Sequence, residues 1–212
     1  MEQNDFKPTT LGFYHKENIS NLYRFCLDED IGDLPYYRDL IHALNNATED
    51  DVIELRIITD GGSLETAECI ITAIRSSEAS VVGIVEKAYS AGSMIALACP
   101  ELVLTDFATM MIHTGSYGTV GSHNKVKQYV DFSERKLNRV IEDVYEGFLT
   151  KEEINSVKDG SDFWMFAEEI GERLDRRNEY FQQKAEAKQE KEEEEVKPRT
   201  RKKVVAKEVV VE

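Results

Sequence analysis

Ser90 is the residue whose position most clearly suggests chemistry. It follows a β-rich segment, 81–85, and precedes an apolar segment, 94–98, that is compatible with a helix. A hydroxyl at a strand-to-helix junction lies at the positive end of a helix dipole, beside free backbone N–H groups. That setting suits a nucleophile whose attack creates an oxyanion. The alternative is a serine that only caps the helix.

Two other groups would complete such a site. Asp60-Gly61-Gly62-Ser63 links a strand to a helix, and its glycines can turn the backbone sharply and expose an N–H group as one wall of an anion-binding concavity. His113 ends an apolar run and precedes a glycine-rich segment, which places an imidazole at the end of a strand near the same cleft. A plain glycine turn and a structural histidine are the alternatives.

Alternating strands and helices must position these groups. Strand patterns cover 21–27, 52–59 and 81–85, and a strand-like pair covers 102–104 and 110–112. Helical spacing of apolar residues follows Leu40, Leu64 and Ala91. The order predicts an α/β fold with a mainly parallel, layered sheet. A long helix over about 125–148 should project or pack against another subunit, and Thr150 should open the next helix with a capping box.

Composition limits the partners. The chain has 212 residues, 41% of them hydrophobic, with a net charge of -15. That length supports one substantial domain with an appendage, and the acidity argues against nucleic acid as a partner. No segment approaches the roughly 20 apolar residues of a membrane span, and the start lacks the pattern of a signal peptide, so we expect no membrane partner and a cytoplasmic location.

Cysteine usage agrees with that location. Cys26, Cys69 and Cys99 are widely spaced, and no two of them stand at metal-ligand spacing. We expect three reduced core cysteines, no metal and no cofactor.

Three regions are expected along the chain. Residues 1–20 form an N-terminal segment that we expect to be flexible, and residues 21–181 form the domain. Residues 182–212 are almost entirely charged or polar and predict a disordered tail, because they cannot bury enough apolar surface to offset their ordering entropy.

The order and spacing of the motifs between Ile57 and Gly118 resemble the Clp protease proteolytic subunit family, especially its shorter phage-type members. The resemblance covers roughly residues 21–177. It implies a crotonase-like spiral of β-β-α units with a projecting handle helix, assembled into an oligomeric ring.

Site residues follow from the resemblance. It implies that Ser90 is the nucleophile, His113 the general base and then acid, and Asp162 the group that orients the imidazole, as in a Ser-His-Asp triad. It assigns the oxyanion hole to the N–H groups of Gly62 and Ala91. Extended peptide substrates would bind by strand addition along the segment that contains Gly115, Ser116, Tyr117 and Gly118.

Other residues compete for these catalytic roles, and the sequence differs from the family pattern at several positions. Ser63 and Ser93 compete with Ser90, and Asp159 competes with Asp162. His15 and His42 have no evident catalytic neighbour, and His123 is expected to lie solvated in a polar loop. Asp60 replaces the family's usual proline and should face solvent or cap the following helix. Phe166 replaces a small hydroxyl residue, which predicts a frayed or shifted helix start, and the N-terminal segment does not match the axial loop of the bacterial enzymes.

The function implied is a serine endopeptidase of broad specificity that acts inside an oligomeric chamber. No phosphate-binding Gly-rich loop with a Gly-Lys-Ser/Thr ending occurs, so a separate AAA+ unfoldase would be the partner for stable protein substrates. A phage capsid maturation protease and a noncatalytic ring subunit stay open as alternatives. Acyl-CoA hydratase or isomerase chemistry on a crotonase-like fold is disfavoured, because it usually requires acidic catalytic groups.

Overall fold

The computed structural model describes residues 20–196. Within that range the chain forms one five-stranded sheet and six α-helices, which confirms the mixed α/β class. The strands are β1 (Leu22–Leu27), β2 (Val52–Thr59), β3 (Ser80–Tyr89), β4 (Glu101–Ile112) and β5 (Phe163–Phe166). The helices are α1 (Arg38–Asn46), α2 (Leu64–Ser76), α3 (Ala91–Ala98), α4 (His123–Val144), α5 (Lys151–Lys158) and α6 (Ala167–Val196), and a 3-10 turn, Leu34–Tyr37, precedes α1.

The strands lie in the sheet in the same order as they occur along the chain. Its strand order is β1-β2-β3-β4-β5; the first four strands are parallel, and β5 runs antiparallel to β4. Since crossovers between parallel strands are right-handed, α1, α2 and α3 must lie on the same face of the sheet. The contacts of α2 with both α1 and α3 agree with this arrangement. One face of the sheet is therefore covered by helices.

Strand β2 shows how the sequence separates the two faces. Ile53, Leu55 and Ile57 alternate along it and are fully buried, each contributing about 1.5–3 kcal/mol of transfer free energy. The residues between them point to the other face. There Glu54 accepts a hydrogen bond from Arg24 at 2.6 Å, and Arg56 pairs with Glu86. The second face thus carries cross-strand ion pairs.

Pairing between β3 and β4 changes register partway along. Residues 82–85 pair with 101–104, and residues 87–89 pair with 109–111. Residues 105–108 of β4 have no partner in this ladder, and Phe107 among them is 91% exposed. The sequence predicts two short strands at 102–104 and 110–112, whereas the structure joins them into one strand whose pairing is interrupted.

Helix α4 begins at His123 and ends at Val144, four residues before the predicted end. Its buried side chains, Leu137, Ile141 and Val144, all lie in the C-terminal half, while Phe132 in the N-terminal half is 58% exposed. The N-terminal half therefore has little cover from the described part of the chain.

The predicted capping box of α5 is confirmed. The Thr150 hydroxyl accepts a hydrogen bond from the Glu153 N–H at 3.2 Å, and the Thr150 N–H donates to the Glu153 carboxylate at 2.8 Å. The guanidinium of Arg173, a largely buried residue of α6, donates to both oxygens of the same carboxylate. These charged donors hold the pKa of Glu153 below its usual range. The box thereby connects α5 to α6.

The C-terminal region and two of the cysteines differ from their predictions. The sequence predicts a disordered tail from residue 182, but α6 continues as a helix to Val196, since its Ala, Glu, Gln and Lys residues are strong helix formers. Residues 1–19 and 197–212 lie outside the described residues. The expected core placement holds only for Cys99, whose burial raises its pKa to about 12.

Cys26 and Cys69 are exposed, so their predicted core placement is wrong. Cys26 falls on the open face of the edge strand β1, and Cys69 lies off the buried stripe of α2. All three thiols are free.

Candidate active site

Ser90 occupies the sharp turn between β3 and α3. Its φ of 53° and ψ of −122° make it the one non-glycine residue with positive φ among residues 20–196. It stands at the N-cap position of α3, but its side chain makes no capping hydrogen bond. The hydroxyl oxygen lies instead 2.8 Å from Nε2 of His113. The Ser90 side chain therefore does not cap the helix.

His113 reaches Ser90 because neighbouring strands carry both residues. It follows directly on β4, and the Ser90 N–H donates to the carbonyl of Met111 at 2.8 Å, so the two strand ends are tied together. The imidazole is half-buried. A neutral His113 with its proton on Nδ1 would accept the Ser90 hydroxyl proton at Nε2, which is the geometry that a general base requires.

Asp162 stands in register with His113 but does not bond to it. Ile112 of β4 pairs with Phe163 of β5, so the next step of this antiparallel ladder sets Asp162 opposite His113. The Asp162 side chain is exposed, and no hydrogen bond joins it to the imidazole. Asp159 is the C-cap residue that follows α5, and it is also exposed. The structure thus brings together the serine and the histidine, and leaves the carboxylate apart.

The double-glycine turn provides an unpaired N–H group beside Ser90. Gly61 and Gly62 have φ of 100° and 141°, and the turn is held by Ile31, whose N–H donates to Gly61 O and whose carbonyl accepts from Ser63 N, both at 2.6 Å. The N–H groups of Gly62 and Ala91 donate to no other described residue. Two donors near one hydroxyl can stabilise a developing oxyanion.

Only glycine fits in this turn. A Cβ on Gly61 would lie 2.7 Å from the Ser90 Cβ, and a Cβ on Gly62 would collide with the carbonyl of Ile31. The positive φ values would also strain any other residue. Because the two glycines have no side chains, the turn can lie this close to Ser90.

A cavity of about 540 Å³ opens over these groups. Leu64, Met94, Met111 and Leu137 give it an apolar lining, and the N-terminal half of α4 adds aromatic side chains. Gly115, Ser116 and Tyr117 line the cavity, whereas Gly118 does not. The segment 113–120 forms no strand and lies largely exposed, so its backbone has no sheet partner in the described chain. Tyr117 packs edge-on against Tyr129 of α4 at 6.1 Å.

The rival residues have structural roles in this conformation. Ser63 caps α2 by accepting a hydrogen bond from the Thr66 N–H at 3.2 Å. Ser93 is fully buried and directs its hydroxyl into the core. Asp60 faces solvent, where it pairs with Lys87 at 2.9 Å. His42 and His123 are exposed on α1 and α4, and His15 lies outside the described residues.

Three contributors to the site are missed by sequence reasoning. Ile31 clamps the glycine turn, and Thr59 donates to Glu29 O at 2.7 Å while accepting from Gly61 N at 3.1 Å. Tyr145 lies beneath the nucleophile turn and bonds to Ser93. Thr59 was detectable as a polar residue that ends an apolar strand next to the glycines. Ile31 and Tyr145 carried no local signal, because distant segments bring them to the site.

Between residues 20 and 196, no three His, Cys, Asp or Glu side chains are grouped in a way that could hold a metal ion. No helix in that range combines the length and apolarity needed to cross a bilayer.

A comparison with curated proteins finds no match. The family model for the Clp protease matches residues 35–173, which is more than half of the chain. The matched region runs from the 3-10 turn before α1 into α6 and includes the glycine turn, Ser90, His113 and Asp162. The chain belongs to the Clp protease family.

Proposed function

We propose that this chain is a serine endopeptidase that cleaves peptide bonds with Ser90 as nucleophile and His113 as general base. The observation that carries the proposal is the 2.8 Å contact between Ser90 Oγ and His113 Nε2, in a cavity lined by Gly62 and Ala91, whose backbone N–H groups donate to no described residue. Membership of the Clp protease family supports the same activity.

Acylation would begin with the Ser90 hydroxyl. Its oxygen attacks the scissile carbonyl carbon while His113 Nε2 takes the hydroxyl proton. The negative charge that develops on the carbonyl oxygen is stabilised by the N–H groups of Gly62 and Ala91. His113 then donates its proton to the leaving amine, so the peptide bond breaks and an acyl-enzyme ester remains.

Deacylation would repeat these steps with water as the nucleophile. His113 accepts a proton from water, the hydroxide attacks the ester carbonyl, and the proton returns to Ser90 Oγ. Asp162 would accept a hydrogen bond from His113 Nδ1 and hold this tautomer. Because its carboxylate is exposed and unbonded in the structure, that role needs a rotation of the side chain towards the imidazole.

Substrate would bind as an extended chain along residues 115–118. The unpaired backbone of this segment supports strand addition, a mode that recognises main chain rather than sequence and so favours broad specificity. A Cβ on Gly118 would meet no atom within 4 Å, so that position leaves open space beside the bound chain.

The assembly would be a homo-oligomeric ring in the cytoplasm, assisted by a separate AAA+ unfoldase when the substrate is a folded protein. Exposed aromatic side chains support self-association: Phe132 of α4 is 58% exposed, and Trp164 and Phe166 of β5 are 60% and 71% exposed. The formal charge of -15 gives no support to binding of nucleic acid. A phage-specific role in capsid maturation stays a prediction.

One observation favours a second candidate, a noncatalytic ring subunit. The carboxylate of Asp162 makes no hydrogen bond to His113, and a Ser-His pair with an unsupported imidazole loses much of its activity. The two candidates differ in whether Ser90 reacts with an activated phosphonate.

Labelling with a fluorophosphonate probe tests the proposal. We expect the full-length protein to be modified at Ser90, as located by mass spectrometry of the labelled peptide. Ser90→Ala and His113→Ala should abolish labelling, and Asp162→Asn should slow it strongly. The matched control Ser76→Ala changes an exposed serine that does not line the cavity and should label like the wild type. Asp159→Asn should also label like the wild type, and slow labelling in that variant in place of Asp162→Asn would assign the carboxylate role to Asp159.

Each outcome separates the candidates. Absence of labelling in a folded oligomer would refute the peptidase and favour the noncatalytic subunit. Labelling of Ser90 that persists without His113 would refute the assigned base. A monomer by light scattering would contradict the chamber without affecting the reactive serine.

A further inference from the structure

Two buried hydroxyl groups beneath the nucleophile turn are not used by the proposed reaction. Ser93 is fully buried in the first turn of α3, and its oxygen lies 2.7 Å from the carbonyl oxygen of Ser90 and 2.8 Å from the hydroxyl of Tyr145. Tyr145, also fully buried, directly follows α4. Its hydroxyl has no other hydrogen-bond partner among the described residues.

The direction of these hydrogen bonds is fixed by the number of protons. Each hydroxyl carries one hydrogen, and the Ser90 carbonyl can only accept. If Ser93 donated to Tyr145, the tyrosine proton would have no acceptor and the Ser90–Ser93 contact would have no hydrogen. The arrangement that satisfies every group runs from Tyr145 to Ser93 to the Ser90 carbonyl. Burial raises the pKa of Tyr145 above its usual range, so the phenol keeps the proton that it donates.

The acceptor carbonyl belongs to the peptide group that also carries the Ala91 N–H. Carbonyl and N–H point in opposite directions across a planar trans peptide. The Ser90 carbonyl also accepts from the backbone N–H groups of Ser93 and Met94, at 3.0 and 3.4 Å, so the Ser93 hydroxyl is a third donor that holds it towards the buried side. The Ala91 N–H then points towards the opposite side, where Ala91 lines the cavity. The unusual φ of 53° at Ser90 needs such restraint, because a conformation of this kind persists only where the surroundings over-determine it.

We propose that Tyr145 and Ser93 are positioning residues that aim the Ala91 N–H at the oxyanion of the reaction. This inference rests on the proposed function. The relay also polarises the Ser90–Ala91 peptide, which strengthens its N–H as a donor. It connects the nucleophile turn to α4, the helix whose residues Tyr129, Phe132 and Leu137 line the same cavity.

The test measures the rate of fluorophosphonate labelling in each variant at several probe concentrations. These measurements give the maximal labelling rate and the probe concentration at which the rate is half-maximal. Tyr145→Phe keeps the ring and removes the proton donor, so we expect the maximal rate to fall about 10-fold, with the half-saturating concentration unchanged. Ser93→Ala removes the hydroxyl donor but leaves the two backbone donors to the Ser90 carbonyl, so it should lower the rate about 10-fold, less than the roughly 100-fold lost with an oxyanion-hole donor. Tyr180→Phe is the matched control. The Tyr180 hydroxyl donates to the Glu146 carboxylate at 2.8 Å, and Tyr180 does not line the cavity.

Coupling between the variants adds a second readout. Since Tyr145 acts through Ser93, Tyr145→Phe should slow labelling little further in a Ser93→Ala background. Each variant is assayed below its own unfolding transition, and its folded fraction is measured alongside.

The possible failures are distinguishable. An unlabelled wild-type Ser90 would overturn the proposed function and this inference together. A labelled wild type with unchanged maximal rates in both Tyr145→Phe and Ser93→Ala would overturn this inference alone. A fall that merely tracks the folded fraction, or that appears equally in Tyr180→Phe, would do the same.

Discussion

The strained backbone of Ser90 predicts an unusual order of stability among its variants. Ser90→Ala and Ser90→Gly both remove the hydroxyl and its hydrogen bond to His113. Alanine keeps the cost of φ 53° and ψ −122°, about 1–3 kcal/mol for a residue with a Cβ. Glycine escapes most of that cost but loses about 0.5–1 kcal/mol more through the entropy of the unfolded chain.

The difference between these terms sets the expected result. Ser90→Gly should be more stable than Ser90→Ala by about 1 kcal/mol, the middle of a range of about 0–2.5 kcal/mol, and for a chain of this length it should melt about 2–4 °C higher. Circular dichroism during heating, with both variants at the same protein concentration, measures the difference. Equal concentration matters because self-association stabilises the folded state by mass action.

A helical position provides the opposite result as a control. Thr72 is exposed in the middle of α2, where Thr72→Gly should be less stable than Thr72→Ala by about 1 kcal/mol. The reasoning is refuted if Ser90→Ala is as stable as Ser90→Gly while the control pair behaves as expected, since Ser90 would then carry no strain.

Three further predictions concern the glycine turn, the Asp51 carboxylate and the N-terminal cap of α5. Gly62→Ala should displace the glycine turn from Ile31 and slow labelling of Ser90 about 100- to 1,000-fold, whereas Gly171→Ala, in open space on α6, should leave the labelling rate unchanged. Asp51 accepts hydrogen bonds from Thr48 and Asn21, and these lower its pKa from 3.8 to about 2. The contribution of Asp51 to the free energy of unfolding is therefore complete above pH 3.8, the pKa in the unfolded chain, and is lost as the pH falls through about 2. Urea unfolding should therefore show a deficit for Asp51→Asn at neutral pH that shrinks between pH 3.8 and about 2, and a deficit that stays constant would contradict the assignment. Thr150→Ala should lower the free energy of unfolding by about 0.5–2 kcal/mol through loss of the α5 cap, and an unchanged urea midpoint would count against it.

Local pattern was sufficient for most of the fold. Strand β2 matches its predicted bounds because its apolar residues alternate and end at the glycine turn. The capping box of α5 was recognisable because all its partners lie within four residues. The end of α4 and the single long β4 were not recognisable, because tertiary packing buries Tyr145 and Phe148 outside the helix and because β4 gains its continuity from β3.

The two residues that the structure brings together, Ser90 and His113, are those carried by the strand ends themselves. Ser90 and His113 come together because β3 and β4 are adjacent parallel strands. The side-chain direction of Asp162 depends on the antiparallel approach of β5, which no local pattern encodes. The clamp by Ile31 depends on contacts with a segment about 30 residues away, so sequence spacing gives no sign of it.

The interruption of pairing in β4 has a consequence for catalytic geometry. Before it, each β3 residue pairs with one 19 positions later, as Val85 with Leu104, and after it the offset is 22, as Lys87 with Thr109. Without the three additional residues, His113 would lie about 10 Å further along the strand than Ser90 requires. The length of residues 105–108, of which Asp106 and Phe107 are exposed, therefore sets the distance between base and nucleophile. An insertion or deletion there would misalign them while every side chain of the site stayed intact.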